Sequence, residues 1–174
     1  MNLANKLTLL RVALIPVFLA VLYIGFPYSN YVAILIFILA AITDFADGYI
    51  ARSRGQVTDF GKLMDPLADK MLVLSAMIWL VQQGTLPAWA ALIVIFREFL
   101  ITSVRMIAKG KGRVISAGLS GKIKTVVAMV LLPIMFLPLL PWMIYSCVGA
   151  IVITTVWSGV DYIIKNKDVL DWKK

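Results

Sequence analysis

The chain contains no histidine and a single cysteine, Cys147. Without imidazole there is no His base, no His nucleophile and no His ligand for a catalytic zinc. One thiol cannot close an internal disulfide or build a CxxC site. Cys147 lies in an apolar run, where a small side chain packs without chemistry. Charge is scarce too: 15% of residues are charged, against about a quarter in a soluble domain. There is no low-complexity tract, no long linker and no repeat of two similar halves, since the acidic pattern of 44–69 has no counterpart in 90–174. What fills the chain is apolar side chain, 61% of 174 residues, with a mean hydropathy of +0.93. Six membrane-spanning helices of about 20 residues would occupy about two thirds of it and leave no room for a soluble domain.

Apolar runs at 8–26, 31–51, 63–82, 87–108, 123–140 and 142–164 are each long enough to cross a bilayer. The expected fold is all-α, a polytopic membrane protein with six transmembrane helices in one domain, 1–174. Phe26-Pro27-Tyr28-Ser29-Asn30, Gln83-Gly84-Thr85-Leu86-Pro87 and Pro138-Leu139-Leu140-Pro141 read as turns between runs. The first run follows Lys6 as a signal peptide would. Its apolar core is too long and Leu22-Tyr23-Ile24-Gly25 is no small-x-small cleavage site, so it is expected to remain in the mature protein. The alternate connections 26–30, 83–87 and 138–142 hold none of the 17 Lys and Arg residues. Positive charge collects on the cytoplasmic side, which predicts N- and C-termini in the cytoplasm. That basic face attracts anionic lipid headgroups and anionic substrates. The basic residues form no separate module, so no nucleic acid is expected as partner.

Four carboxylates break the apolar pattern. Asp44 and Asp47 lie near the cytoplasmic end of the second run, Asp65 and Asp69 near the cytoplasmic start of the third. A carboxylate inside a membrane helix costs a few kcal/mol, so four in one hairpin need a reason. The first pair is spaced i,i+3 and the second i,i+4, so each pair shares a helix face. Four close anions repel unless cations lie among them. Hard divalent ions with oxygen ligands, Mg²⁺ or Mn²⁺, answer that conflict. Gly48 and Ala51 continue the first face and Gly61 precedes Asp65 by four, leaving space for a ligand or for close helix packing. Arg52 adds a planar donor fork suited to phosphate. Metals, space and Arg together read as a diphosphate site. A cation-transport site is the reading from another class. Such sites lie near mid-membrane between repeats, whereas these carboxylates lie near one side and no repeat is present.

The full run is Asp44-x2-Asp47-Gly48-x2-Ala51-Arg52-x8-Gly61-x3-Asp65-x3-Asp69. It resembles the signature of the CDP-alcohol phosphatidyltransferases. The resemblance implies a six-helix enzyme of the bacterial inner membrane, a homodimer among membrane lipids, with a two-ion Mg²⁺ or Mn²⁺ site open to the cytoplasm. It implies Asp44, Asp47, Asp65 and Asp69 as metal ligands and Asp69 as catalytic base. Gly48, Ala51, Arg52 and Gly61 would line the site for CDP-diacylglycerol. Asn5 and Thr8, from Asn5-x2-Thr8-x2-Arg11, would join them; that opening resembles one bacterial branch of the family, in which proline is common where this chain has Ala4.

The acceptor alcohol is a separate question. An acceptor carrying phosphate needs cations near the metals. Arg97, Glu98 and Arg105 lie in the fourth run, and Lys122, Lys124 and Thr125 open the fifth. Each could serve substrate, or could pair with carboxylates and the interface instead. Arg97-Glu98-Phe99, Arg105, Gly121-Lys122-x-Lys124-Thr125 and Ser158-Gly159-x2-Tyr162 resemble the branch of the family that uses sn-glycerol 3-phosphate. That implies Arg97, Arg105, Lys122, Lys124 and Tyr162 as the glycerol-phosphate site. Inositol phosphate or phosphatidylglycerol as acceptor stays open at this point.

Overall fold

The computed structural model describes residues 3–53, 59–113, 115–116 and 118–168; for 3–8, 44–53, 59–63, 65, 66 and 69 it describes the backbone alone. Among the described residues there are six helices and no strand: α1 (Leu3–Ile24), α2 (Ser29–Ser53), α3 (Asp59–Gln82), α4 (Ala88–Gly110), α5 (Leu119–Ile134) and α6 (Pro141–Lys165). Each apolar run falls on one of them, as the all-α reading expects.

Helix ends follow the turn chemistry. After α3, Gly84 adopts φ +73°, its N–H donates to Val81 O and the N–H of Thr85 donates to Leu80 O. After α4, Gly112 (φ +72°) donates to Lys109 O and Arg113 N–H to Ala108 O at 2.9 Å. Both are left-handed closures that absorb the last carbonyls of a helix, where a Cβ would be strained. The fifth helix departs from the expected 123–140. It starts earlier because its first turn is polar, with Ser120 and Lys122, and hydropathy does not register such a turn. It stops at Ile134, and the N–H groups of Met135, Phe136 and Leu137 then bond three residues back in tight turns before Pro138 bars further helix.

The chain forms two compact units. The first comprises Met1–Trp79 with Leu132–Pro138. There α1 packs along α2, with Ile15, Phe18, Leu22, Ala33, Phe37 and Ala40 buried. Phe18 meets Phe37 at 6.3 Å and the edge of Phe136 at 5.9 Å. Asn30 Nδ2 donates to Phe136 O at 3.1 Å, fixing the segment after α5 to the start of α2.

The second unit comprises Leu80–Leu131 and Leu139–Lys174, and α4 packs on α6 within it. On α4 the buried stripe is Ala90, Ala91, Val94, Ile101, Val104 and Ala108. On α6 it is Val148, Ile151, Thr155, Ser158, Gly159 and Tyr162. Leu92, Phe96, Phe99, Ile153, Trp157, Val160 and Ile164 are instead exposed. Large apolar side chains outside and hydroxyls inside invert the soluble pattern and suit helices surrounded by lipid. Among the described residues α6 alone is long and apolar enough by itself to cross a membrane.

Candidate active site

Helix α2 runs through Asp44, Asp47, Gly48, Ala51 and Arg52, and α3 through Gly61, Asp65 and Asp69. The spacings that put each carboxylate pair on one face are therefore helical spacings. The side chains of Asp44, Asp47, Asp65, Asp69 and Arg52 lie outside the described residues, as do those of Asn5 and Thr8 on α1. As a donor set, four carboxylates without Cys or His fit hard, oxygen-liganded divalent ions. Among the described residues no three acidic side chains gather as a metal site.

The expected acceptor residues are all described, and the second unit sorts them. Glu98 on α4 is the hub. Its Oε1 accepts from Arg97 Nη1 at 2.9 Å and from Lys124 Nζ of α5 at 2.7 Å. Arg97 Nη2 donates to Ser158 Oγ of α6 at 2.6 Å. Side-chain exposures of 12% for Arg97, 7% for Lys124 and 24% for Glu98 put the three ions at low dielectric. Removing one partner of a fully buried ion pair costs about 3–5 kcal/mol, because the other charge is left uncompensated. Glycines make room for this group. A Cβ at Gly159 would approach Arg97 Cγ to 3.3 Å, and one at Gly121 would meet Arg97 Nη2 at 3.6 Å.

Arg105, two turns along α4 from Glu98, does not share that hub. Its Nε donates to Tyr162 Oη at 3.3 Å, and its guanidinium carbon lies 5.5 Å from the Tyr162 ring centroid. Tyr162 is buried in a small core with Ile101 and Val104, against which Ile115 packs. Arg105 is exposed, and no carboxylate among the described residues pairs with it. Lys122 is exposed as well. Arg97 and Lys124 are thus held by protein groups, and Arg105 and Lys122 face outward.

Sequence reasoning passed over a second bridge. Ser120 Oγ at the start of α5 donates to Asp161 Oδ2 of α6 at 2.6 Å, and Lys165 Nζ pairs with Asp161 Oδ1 at 2.7 Å. A carboxylate inside a membrane helix was the available signal for Asp161. Beyond the helices, Arg113 Nη1 meets Asp168 Oδ2 at 2.5 Å. That hydrogen bond holds the Asp168 carboxyl below its ordinary range. An apolar cleft of about 390 Å³ opens between α4 and α6, walled by Leu92, Phe96, Leu100, Val156, Val160 and Ile163. The Thr155 hydroxyl nearby is buried and has no hydrogen-bond partner among the described residues.

Residues 1–158 match the profile of the CDP-alcohol phosphatidyltransferase family. The chain is 39% identical to the CDP-diacylglycerol–glycerol-3-phosphate 3-phosphatidyltransferase of Bacillus subtilis, over 97% of both proteins. It is 37% identical to the Escherichia coli K12 protein of the same name, over 98% of both. A probable phosphatidylglycerophosphate synthase of Mycobacterium tuberculosis is 42% identical over 93% of this chain and 80% of its own length.

Proposed function

The chain belongs to the CDP-alcohol phosphatidyltransferase family, and on that premise we propose that it transfers the phosphatidyl group of CDP-diacylglycerol to sn-glycerol 3-phosphate, releasing CMP. The family is divalent-metal dependent and membrane-integral in bacteria. The reading takes 1–174 as one catalytic domain, a homodimer crossing the inner membrane six times, with both termini and the active site cytoplasmic.

Asp44, Asp47, Asp65 and Asp69 would hold two Mg²⁺ or Mn²⁺ ions. When bound, such ions supply charge neutralisation to a diphosphate and to its departing phosphate oxygen. Arg52 offers the same diphosphate a fork of N–H donors, and Gly48, Ala51 and Gly61 leave room for the nucleotide, with Asn5 and Thr8 at the entry to α1. Asp69 takes the proton from the primary hydroxyl of glycerol 3-phosphate. That oxygen attacks the lipid-linked phosphorus, the bond to CMP breaks, and no covalent enzyme intermediate forms. The α4–α6 cleft suits hydrocarbon, which lets acyl chains remain at the bilayer while the headgroup reacts.

One observation supports the charged acceptor. Among the described residues the α4–α6 unit carries Arg97, Arg105, Lys122 and Lys124, of which Glu98 pairs with Arg97 and Lys124, while Lys165 offsets Asp161 and Arg113 offsets Asp168. Such a cationic excess inside apolar helices suits a phosphate-bearing alcohol and is unneeded for a neutral one. Arg105 and Lys122 would meet the phosphate first, with Arg97 and Lys124 behind them and Tyr162 beneath Arg105. The test is CMP release by purified protein given CDP-diacylglycerol and a panel of alcohols. Turnover with glycerol 3-phosphate above all others is expected. Preference for inositol phosphate or phosphatidylglycerol would move the chain to another branch.

A further inference from the structure

Lys124 is an ammonium that the fold has withdrawn almost fully from solvent, 7% exposed. An ammonium has three donors, and among the described residues one acceptor meets it, Glu98 Oε1 at 2.7 Å. Charged donors without acceptors are costly in a low-dielectric interior. Two open N–H groups on a cation held in place are a receiving point for acceptor oxygens. A lysine side chain is long and flexible, and among the described residues Glu98 is what holds Nζ there. Glu98 is in turn held by Arg97, and Arg97 by Ser158. The chain Ser158–Arg97–Glu98–Lys124 therefore runs from α6 through α4 to α5. A neutral interhelical staple would need one cation per carboxylate. Here one carboxylate oxygen serves two cations and leaves positive charge over.

We propose that Glu98 is a positioning residue for the acceptor: by fixing Lys124 Nζ across the α4–α5 gap it aims the two remaining ammonium donors at the phosphate of the incoming alcohol. Glu98 itself does not touch substrate. The proposal rests on the glycerol-phosphate reading above and adds to it the group that sets the geometry of one phosphate ligand.

The experiment uses the full chain in detergent, as Glu98→Gln, Lys124→Gln and their double variant. Initial rates are measured with varied glycerol 3-phosphate at saturating CDP-diacylglycerol, then the reverse. Each single change should raise the acceptor KM about tenfold or more, with the donor KM constant to within about threefold. The double variant should be no worse than Lys124→Gln alone, because Glu98 acts through Lys124. If Glu98→Gln does not yield monodisperse protein, Glu98→Asp takes its place. Aspartate keeps the charge, falls one methylene short of Nζ, and should raise the acceptor KM alone. A purely structural Glu98 predicts less folded protein with an unchanged acceptor KM in the surviving fraction, or additive effects in the double variant. Either result overturns the proposal. Arg105→Gln distinguishes the two levels. If it raises the acceptor KM while Glu98→Gln does not, the positioning role falls and the acceptor reading stands. If Arg105→Gln and Lys124→Gln both leave the acceptor KM unmoved, the acceptor reading falls and the positioning role with it.

Discussion

Tyr162 decides how Arg105 is held, and its hydroxyl can be removed almost alone. The Arg105 Nε to Tyr162 Oη distance is 3.3 Å, longer than the 2.9–3.0 Å typical of N–H···O. A bond of that length contributes about 1 kcal/mol or less. The ring under the guanidinium, 5.5 Å away, contributes roughly 0.5–2 kcal/mol more. Tyr162→Phe keeps the ring and deletes the hydroxyl. The acceptor KM should therefore rise roughly two- to fivefold, with a melting temperature lower by at most about 2–4 °C. Tyr162→Leu removes the ring face as well and opens a void beside Ile101 and Val104. It should approach the tenfold or larger acceptor defect of Arg105→Gln and cost on the order of 3 kcal/mol of stability. CMP release against glycerol 3-phosphate, with thermal unfolding of the same preparations, reads both. A tenfold or larger rise in the acceptor KM of Tyr162→Phe would refute the reasoning, because the hydroxyl would then meet the phosphate itself.

Four further outcomes follow from the same residues. Asp44→Asn, Asp47→Asn and Asp65→Asn should each abolish turnover, and EDTA should do the same to the unaltered protein until Mg²⁺ or Mn²⁺ is restored; full activity in metal-free protein would end the carboxylate-metal argument. Thr155→Val replaces a buried hydroxyl that has no partner among the described residues with an isostere and should raise the melting temperature by about 2–4 °C per kcal/mol recovered, out of about 1–3 kcal/mol; a lower melting temperature would show that the hydroxyl is satisfied. For Asp168, Arg113 depresses the folded-state pKa below the ordinary 3.8, so the stabilisation is present above that value and lost as pH falls through the depressed one. The unfolding difference between the unaltered chain and Asp168→Asn should accordingly be small, the pair being exposed, and should vanish in acid. A reporter fused after Lys174 should read cytoplasmic and one inserted at Gly84 should not, and finding both on one side would break the six-crossing topology.

Much of this was legible along the chain. Helix number came from runs of apolar side chain bounded by Pro27, Gly84 and Pro138, because a bilayer demands about 20 apolar residues per crossing and a backbone that satisfies itself. The carboxylate register was equally readable, since i,i+3 and i,i+4 neighbours lie within one helix and need no knowledge of any other. Hydropathy misplaced the start of α5 because its first turn, Leu119–Lys122, carries Ser120, Gly121 and the charge of Lys122 on a helical backbone.

The partners of the cations were a different matter. From spacing, Arg105 shared a face with Glu98 and was as good a candidate for the ion pair as Arg97. The fold gives Glu98 to Arg97 and to Lys124, 26 residues away, and gives Arg105 to Tyr162, 57 residues away. Lys122 and Lys124 look equivalent as a Lys-x-Lys pair, yet one is exposed and the other buried, because residues two apart on a helix point to opposite sides. Ser158 and Ser120 are ordinary hydroxyls in the sequence, and their partners come from other helices: Arg97 of α4 for Ser158 and Asp161 of α6 for Ser120. Periodicity and composition act along one helix and are written in order along the chain. Which polar atom answers which across two packed helices depends on their rotation and depth, and only the tertiary packing of α4, α5 and α6 sets those.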